Sequence, residues 1–252
     1  MTAGPTDRDI KREANAFWEQ VGRIEPFPRS LEHSVLWALP LGIVKLPRLG
    51  LSTMRSWLHR RGIDVYPDSA DRPLRGCLIA GGGQGFVFLD GCDPDDERRF
   101  SLAHEVAHFL KDYVAPRERL FAALGPQIGD VLDGRREPTV DERLAGVLRG
   151  VPLGTFTHLL DRRLDGLACR LDIIDAEDRA DKLALELLAP RANALSQLTA
   201  ARLKWLSPDA PSAAAGILAK DFGLPHAVAE RYGTLLVLAH RRPRTFRQWL
   251  KS

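Results

Sequence analysis

The chain has little cysteine, no long apolar run and no strong excess of charge of either sign. Its 252 residues include 3 cysteines and carry a formal net charge of +3 at pH 7. Cys77, Cys92 and Cys169 are scattered and form no Cys-x-x-Cys pair. We therefore expect reduced thiols and no framework of disulfide bonds.

A membrane-spanning segment is also absent from the sequence pattern. The most apolar stretch, residues 31–51, is interrupted by Pro40, Lys45, Pro47 and Arg48. Charges and prolines in such a short stretch are incompatible with a bilayer-crossing helix. The first twenty residues are polar and charged, which predicts no secretory signal. We therefore expect a cytoplasmic protein with no membrane partner.

Basic residues are concentrated in the last twelve positions, which contain no acid. Five basic residues lie there, and without them the net charge of +3 becomes −2. The rest of the chain therefore gives no indication of a general nucleic-acid-binding surface. Two short helices predicted within 213–236 resemble a helix-turn-helix, but only Arg231 is a strong base-reading candidate there. Nucleic-acid binding is thus a disfavoured alternative. The five basic residues are Arg241, Arg242, Arg244, Arg247 and Lys251.

The most informative motif of the sequence is a His-Glu-x-x-His pattern at His104, Glu105 and His108. Asp93 as N-cap and Pro94 at the first helical position predict a helix here, and its apolar stripe predicts burial. On a helix, histidines four apart share one face and can hold one metal ion, while the glutamate stands beside them as a general base. The alternative is a pair of buried histidines that bind no metal and whose ring nitrogens form hydrogen bonds within the core.

A third ligand is needed, because catalytic zinc usually has three protein ligands. One extended pattern would have Gly and His where this chain has Lys111 and Val114, so that class is excluded. We predict Glu177 instead, on a second helix with Asp175 as its N-cap. Asp181, one turn after Glu177, is expected to accept the free ring N–H of a ligand histidine.

Other polar residues compete for roles in the predicted site. His158, Asp161 and Asp165 are alternative ligands in the preceding stretch. Of these, His158 is the most credible, as a catalytic group that stabilises the oxyanion of a tetrahedral intermediate. Tyr113 is a weaker candidate for the same role.

The predicted architecture is α+β and mostly helical, with a small antiparallel or mixed sheet packed on the His-Glu-x-x-His helix. Helices are expected near 7–22 and 52–61. Residues 74–80 and 85–90 form a predicted hairpin, with 63–66 as a candidate third strand. A long helical insert is expected over 111–174, within a domain of residues 1–190. Residues 191–252 are predicted to be a helical C-terminal extension.

Two segments of the chain resemble the ImmA/IrrE family of zinc-dependent peptidases. They are residues 98–108, with the His-Glu-x-x-His pattern, and residues 177–190, which begin at Glu177. The resemblance implies a zincin-like fold, one zinc ion held by His104, His108 and Glu177, and Glu105 as general base. It also implies a substrate: a helix-turn-helix repressor cleaved in response to stress or mobile-element signals.

The predicted function is thus zinc-dependent endopeptidase activity on a regulatory protein. We expect the substrate peptide to lie extended along the edge of the 85–90 strand. Two alternatives remain: a DNA-binding regulator with a structural or sensory metal site, and a toxin–antitoxin or phage-related interaction module. An intact Glu105 argues against the last, because a degenerate site needs no base beside its ligands.

Overall fold

The structure is a computed structural model that describes residues 7–63, 70–149, 151, 156–161 and 171–241. It confirms a mixed α+β fold in which helices predominate and the described strands form one small sheet. The helices are α1 (Asp7–Val21), α2 (Leu31–Ala38), α3 (Leu51–His59), α4 (Asp95–His108), α5 (Ala115–Leu124), α6 (Ile128–Leu132), α7 (Val140–Arg149), α8 (Leu171–Leu188), α9 (Arg191–Ala200), α10 (Ala210–Phe222) and α11 (His226–Arg241). A π-helical segment, Phe109–Val114, joins α4 to α5, and the strands are β1 (Leu41–Leu46), β2 (Leu74–Gly81), β3 (Gln84–Asp90) and β4 (Phe156–Asp161).

The sheet has the strand order β1-β3-β2-β4. β3 pairs in parallel with β1 and antiparallel with β2, and β4 pairs antiparallel with β2. The predicted hairpin is confirmed as β2–β3, with Gly82 and Gly83 at positive φ in its turn. Because β3 is paired along both edges, the expectation that a substrate lies along the 85–90 strand is wrong. Among the described strands, β1 and β4 are the two edge strands, and β4 pairs only with β2.

The two faces of the sheet are covered by different helices. Cys77, Ile79 and Phe88 pack with Met54 and other residues of α3 in one buried cluster. Since side chains alternate between faces along a strand, Gly76 faces the opposite side. There it lies against Glu105 of α4, which packs on β2, β3 and β4. Helix α4 thus packs on the face of the sheet opposite to α3.

Two predicted helix starts require correction. Helix α4 begins at Asp95 with Pro94 at the N-cap position, one residue later than predicted. Helix α8 begins at Leu171, so Asp175 lies inside the helix and is not its N-cap. Capping residues are tolerated in helix interiors, so a local capping signature does not oblige a helix to begin there.

Two strands were not predicted. The expectation of a helical insert over 111–174 is wrong for Phe156–Asp161, which forms β4. This segment is extended because it pairs with β2, a contact that is distant in sequence. β1 occupies the sheet position beside β3, whereas Ile63, from the candidate third strand, lies outside any strand. Residues 64–66 of that candidate lie outside the described residues.

The described residues divide into two compact units. The first comprises residues up to Glu25 together with Ser30–Ala184, and it contains the sheet and α4. The second comprises Pro26–Arg29 and the residues from Leu185 onward, including α9, α10 and α11. The domain boundary at residue 190 stays a prediction. None of the described helices is long and apolar enough to cross a membrane.

The helix pair predicted within 213–236 is present as α10 and α11 in the second unit. Gly223, with a φ of 62°, ends α10 in the left-handed conformation. On α11, Gly233 lies close to the backbone of α10. A Cβ atom on Gly233 would lie 3.0 Å from the backbone nitrogen of Ala215 and 3.1 Å from the carbonyl oxygen of Pro211. Gly233 therefore allows the close packing of these two helices.

We predict that Gly233→Ala lowers the free energy of unfolding by about 1–3 kcal/mol, because the added methyl group meets backbone that cannot rotate away. Urea denaturation of the full chain measures this change. Gly216→Ala on α10 is the matched control, since a Cβ there meets nothing within 4 Å. The control should be neutral or slightly stabilising, because alanine favours helix over glycine. Equal destabilisation by both substitutions would contradict close packing at Gly233.

Candidate metal centre

Helices α4 and α8 bring His104, His108 and Glu177 to one point in the first unit. The Nε2 atoms of His104 and His108 are 3.1 Å apart. Glu177 Oε2 lies 3.2 Å from His104 Nε2, and Glu177 Oε1 lies 3.6 Å from His108 Nε2. Both histidine side chains are 2% exposed, so water cannot readily satisfy these atoms. The structure thus places all three predicted ligands together.

Each histidine of α4 is oriented by a carboxylate. Asp181 Oδ1 lies 3.0 Å from His104 Nδ1, as the sequence predicted. Asp112 Oδ2 lies 2.6 Å from His108 Nδ1, and this contact was not predicted. A carboxylate accepts a hydrogen bond, so each Nδ1 donates its proton to its aspartate. The two Nε2 atoms are then left to face each other and Glu177.

His158 reaches the same point from β4. Its Nδ1 lies 2.9 Å from Glu105 Oε2, and its Nε2 lies 2.9 Å from Glu177 Oε1. Its ring stacks on that of His108, with 3.6 Å between the ring centroids and 21° between the planes. β4, which was not predicted from the sequence, thus positions His158, which was predicted to belong to the site.

Glu105 is fully buried between α4 and the sheet. Its Oε2 atom contacts His158, whereas its Oε1 atom has no hydrogen-bond partner among the described residues. A Cβ atom on Gly76 of β2 would lie 3.0 Å from this Oε1 atom. A buried carboxylate oxygen without a donor is costly, which indicates that a further group belongs beside it.

The surrounding carboxylates raise the pKa of two of the histidines, His104 and His158, and so favour positive charge between them. Burial lowers the pKa of His104, but hydrogen bonds to Asp181 and Glu177 outweigh burial and raise it to about 9. Burial likewise opposes a charged His158, but Glu105 and Glu177 raise its pKa to about 10. Burial raises the pKa of Glu177, yet its histidine partners hold that pKa well below the usual range.

His108 differs, because burial lowers its pKa despite the hydrogen bond to Asp112. Nearby His158 and His104 lower this pKa further. His108 is therefore neutral at pH 7, with its proton on Nδ1 and a bare lone pair on Nε2. A neutral imidazole is the form that binds metal ions.

The donor set fits a divalent metal ion. Three potential ligand atoms converge, and one proton can join only two of them, whereas a cation can accept a lone pair from each. Ligands bound to a tetrahedral zinc ion at about 2.0–2.2 Å lie roughly 3.3–3.6 Å apart, close to the separations found here. His104, His108, His158 and Glu177 each offer an atom within 4.8 Å of the others, so this cluster could hold a metal ion.

The remaining predicted residues have other positions. The Tyr113 hydroxyl accepts a hydrogen bond of 2.8 Å from the Gly83 amide in the β2–β3 turn, so it anchors the hairpin. Asp161 lies at the end of β4, and Asp165 lies outside the described residues. Asp112 was missed although it lies four residues after His108. That spacing alone was a usable signal, because such residues share a helix face.

We predict that Asp112→Ala and Asp181→Ala each weaken zinc binding about 10–100-fold, because each leaves one imidazole free to rotate and lowers its basicity. Competition with a chromophoric zinc chelator measures both affinities. Asp178→Ala is the matched control, since this exposed residue of α8 pairs only with Lys182 among the contacts described. Unchanged affinity in Asp112→Ala would remove Asp112 from the centre.

Comparison of the sequence with models of known protein families, and with curated proteins, gives no match. The function of the centre has therefore to be inferred from its own residues.

Proposed function

We propose that the chain is a zinc-dependent endopeptidase with a zincin-like catalytic unit, similar to the ImmA/IrrE peptidases. One observation carries the proposal. The buried carboxylate of Glu105 has one oxygen without a partner, beside a metal-binding set of two histidines and a glutamate. A structural metal site requires ligands alone, whereas hydrolysis requires a base next to them.

His104, His108 and Glu177 would hold the metal ion. A bound zinc ion supplies Lewis acidity, which makes water a stronger acid and polarises the carbonyl of the peptide bond. Asp181 and Asp112 keep the imidazole rings in the ligating orientation. The burial of these groups strengthens their electrostatic interactions, because few water molecules screen them.

Glu105 acts as the general base. Its unpartnered Oε1 atom takes a proton from the attacking water as the oxygen forms a bond to the scissile carbonyl carbon. The same proton then passes to the leaving nitrogen as the C–N bond breaks, so the products are a carboxylate and an amine. Because Glu105 is buried and its Oε2 atom is held by His158, its carboxylate is kept in one orientation.

The substrate is a peptide in extended form. β4 is one of the two edge strands of the described sheet and carries His158 into the site, so an extended chain could pair along its outer edge. The resemblance to ImmA/IrrE peptidases suggests a helix-turn-helix repressor as the protein substrate. A cytoplasmic setting would give the enzyme access to such a regulator.

Purified chain, stripped of metal with a chelator and reloaded with one equivalent of zinc, tests this proposal. The probe is a proteome-derived peptide library in H₂¹⁸O, with products identified by mass spectrometry. We expect cleavage only in the zinc-loaded sample and ¹⁸O in each new carboxyl terminus. His108→Ala should lose both zinc and cleavage. Tight zinc binding without any cleavage would favour the alternative of a structural or sensory metal site.

A further inference from the structure

We propose that His158 is a positioning residue that fixes Glu177 and Glu105 relative to each other, and that it is neither a metal ligand nor the donor to an oxyanion. The inference deepens the proposed function and rests on its metal centre. It departs from the role predicted for His158 from the sequence.

Both ring nitrogens of His158 are already engaged. Its Nδ1 lies 2.9 Å from Glu105 Oε2, and its Nε2 lies 2.9 Å from Glu177 Oε1. Both neighbours are carboxylate oxygens, so each ring nitrogen has a carboxylate within hydrogen-bond distance. An imidazole nitrogen has one proton or one lone pair to offer. A substrate oxygen could therefore reach either nitrogen only by displacing a carboxylate. Both ring nitrogens of His104 also face carboxylates, so the orientation of the rings decides which histidine can bind the metal.

The stacking on His108 excludes His158 as a metal ligand alongside it. Imidazole nitrogens bind metals in the plane of the ring, along the lone pair. The two rings are nearly parallel, with centroids 3.6 Å apart and 21° between the planes, so their lone pairs do not converge on one point. The rings of His104 and His108 are inclined by 64°, and their Nε2 atoms do converge.

With this role for His158, each of the three ligands has one outer partner. His104 donates to Asp181, His108 donates to Asp112, and Glu177 accepts from His158. Glu177 then has Oε2 directed at His104 and the metal point, while Oε1 is held by the imidazole. One carboxylate can serve both functions, because its two oxygens accept independently.

His158 also connects this ligand to the general base. It belongs to β4, where it stands opposite Leu78 in a regular antiparallel register with β2. The sheet therefore fixes the imidazole, and the imidazole fixes the separation between the base and the third ligand. Such rigid support matters, because a misplacement of about 1 Å in a catalytic group can lower the rate about 100-fold.

The test uses His158→Phe in the full chain, because phenylalanine keeps a flat ring to stack on His108 and removes both donors. We expect zinc affinity, measured by chelator competition, to fall about 10–100-fold, as for other outer partners of metal ligands. Thr157→Val is the matched control on β4, since Thr157 points to the opposite face of the strand. It should leave zinc affinity unchanged.

A second measurement identifies the ligands directly. The ¹⁵N chemical shifts of the imidazole nitrogens in the zinc-loaded chain should show metal on Nε2 of His104 and His108, and on neither nitrogen of His158. Metal on His158 would overturn the proposal. Zinc affinity that His158→Phe leaves unchanged would also overturn it, without affecting the proposed peptidase function. A chain that binds no zinc would remove the proposed function and this inference together.

Discussion

Replacing Glu105 with glutamine should lower kcat for peptide cleavage about 10²–10⁴-fold while zinc remains bound. This range is the usual contribution of a general acid–base group. Glutamine has the size of glutamate, and its amide oxygen can still accept the hydrogen bond from His158. It cannot take a proton from water at neutral pH. The variant therefore removes proton transfer from the site and leaves its packing in place.

The measurement is kcat on one peptide selected from the library, with zinc content determined by elemental analysis of the same samples. Glu97→Gln on α4 makes the same chemical change at the surface, where Glu97 pairs with Arg75 at 3.2 Å. It should leave kcat and zinc content unchanged. If Glu105→Gln cleaves as fast as the original chain, Glu105 is not the base. If it loses zinc as well, Glu105 is instead part of the metal-binding set.

The ligand pair was predictable because its geometry is local. A spacing of four residues on any helix places His104 and His108 on one face, whatever the rest of the fold does. The same reasoning placed Asp181 beside Glu177 on α8, and it remained valid although α8 begins at Leu171. Periodicity along a helix does not depend on where the helix starts.

The role of His158 was not predictable, because it depends on a strand whose formation is not local. Phe156–Asp161 has two adjacent leucines and no clear alternation, and it becomes β4 through pairing with β2, about eighty residues earlier. Without that pairing there is no reason to place His158 between Glu105 and Glu177. The sequence could only mark His158 as a chemically capable residue near the right helices.

Asp112 is an intermediate case. Its spacing from His108 is local, but an acid at a helix end resembles an ordinary solvated residue. It lies in the π-helical segment that follows α4, and such segments are frequent at functional sites. Segments of this type depend on tertiary context and have no reliable sequence signature. The contact between Asp112 and His108 could thus have been predicted from the sequence, but the π-helical backbone that supports it could not.

Gly76 provides the last prediction, and its role is visible only in three dimensions. Helix α4 crosses β2 so closely that a Cβ on Gly76 would lie 3.0 Å from Glu105 Oε1 and 3.4 Å from Glu105 Cγ. Glu105 is fully buried and held on its other side by His158, so it cannot simply turn away. Gly76→Ala should therefore displace the carboxylate and lower kcat about 100-fold, the effect expected of a displacement near 1 Å.

Gly42→Ala is the matched control for strain within the sheet. A Cβ on Gly42 in β1 would lie 2.8 Å from the ring of Phe86, so it also crowds a side chain, but its nearest atoms belong to Phe86 and Gly85 and not to the metal centre. Both substitutions should lower the free energy of unfolding by about 1–3 kcal/mol, the usual cost of overpacking. Only Gly76→Ala should change kcat at temperatures well below unfolding, and neither should change zinc affinity.

A double-mutant cycle separates displacement of the base from general damage to the site. If the methyl group at position 76 acts by displacing Glu105, it should have little further effect on the residual activity of Glu105→Gln, because the proton transfer is already lost. If the two effects instead multiply, Gly76→Ala acts through something other than the base. Equal losses of kcat in Gly76→Ala and Gly42→Ala would likewise assign the effect to strain in the sheet, and Gly76 would then have no special relation to Glu105.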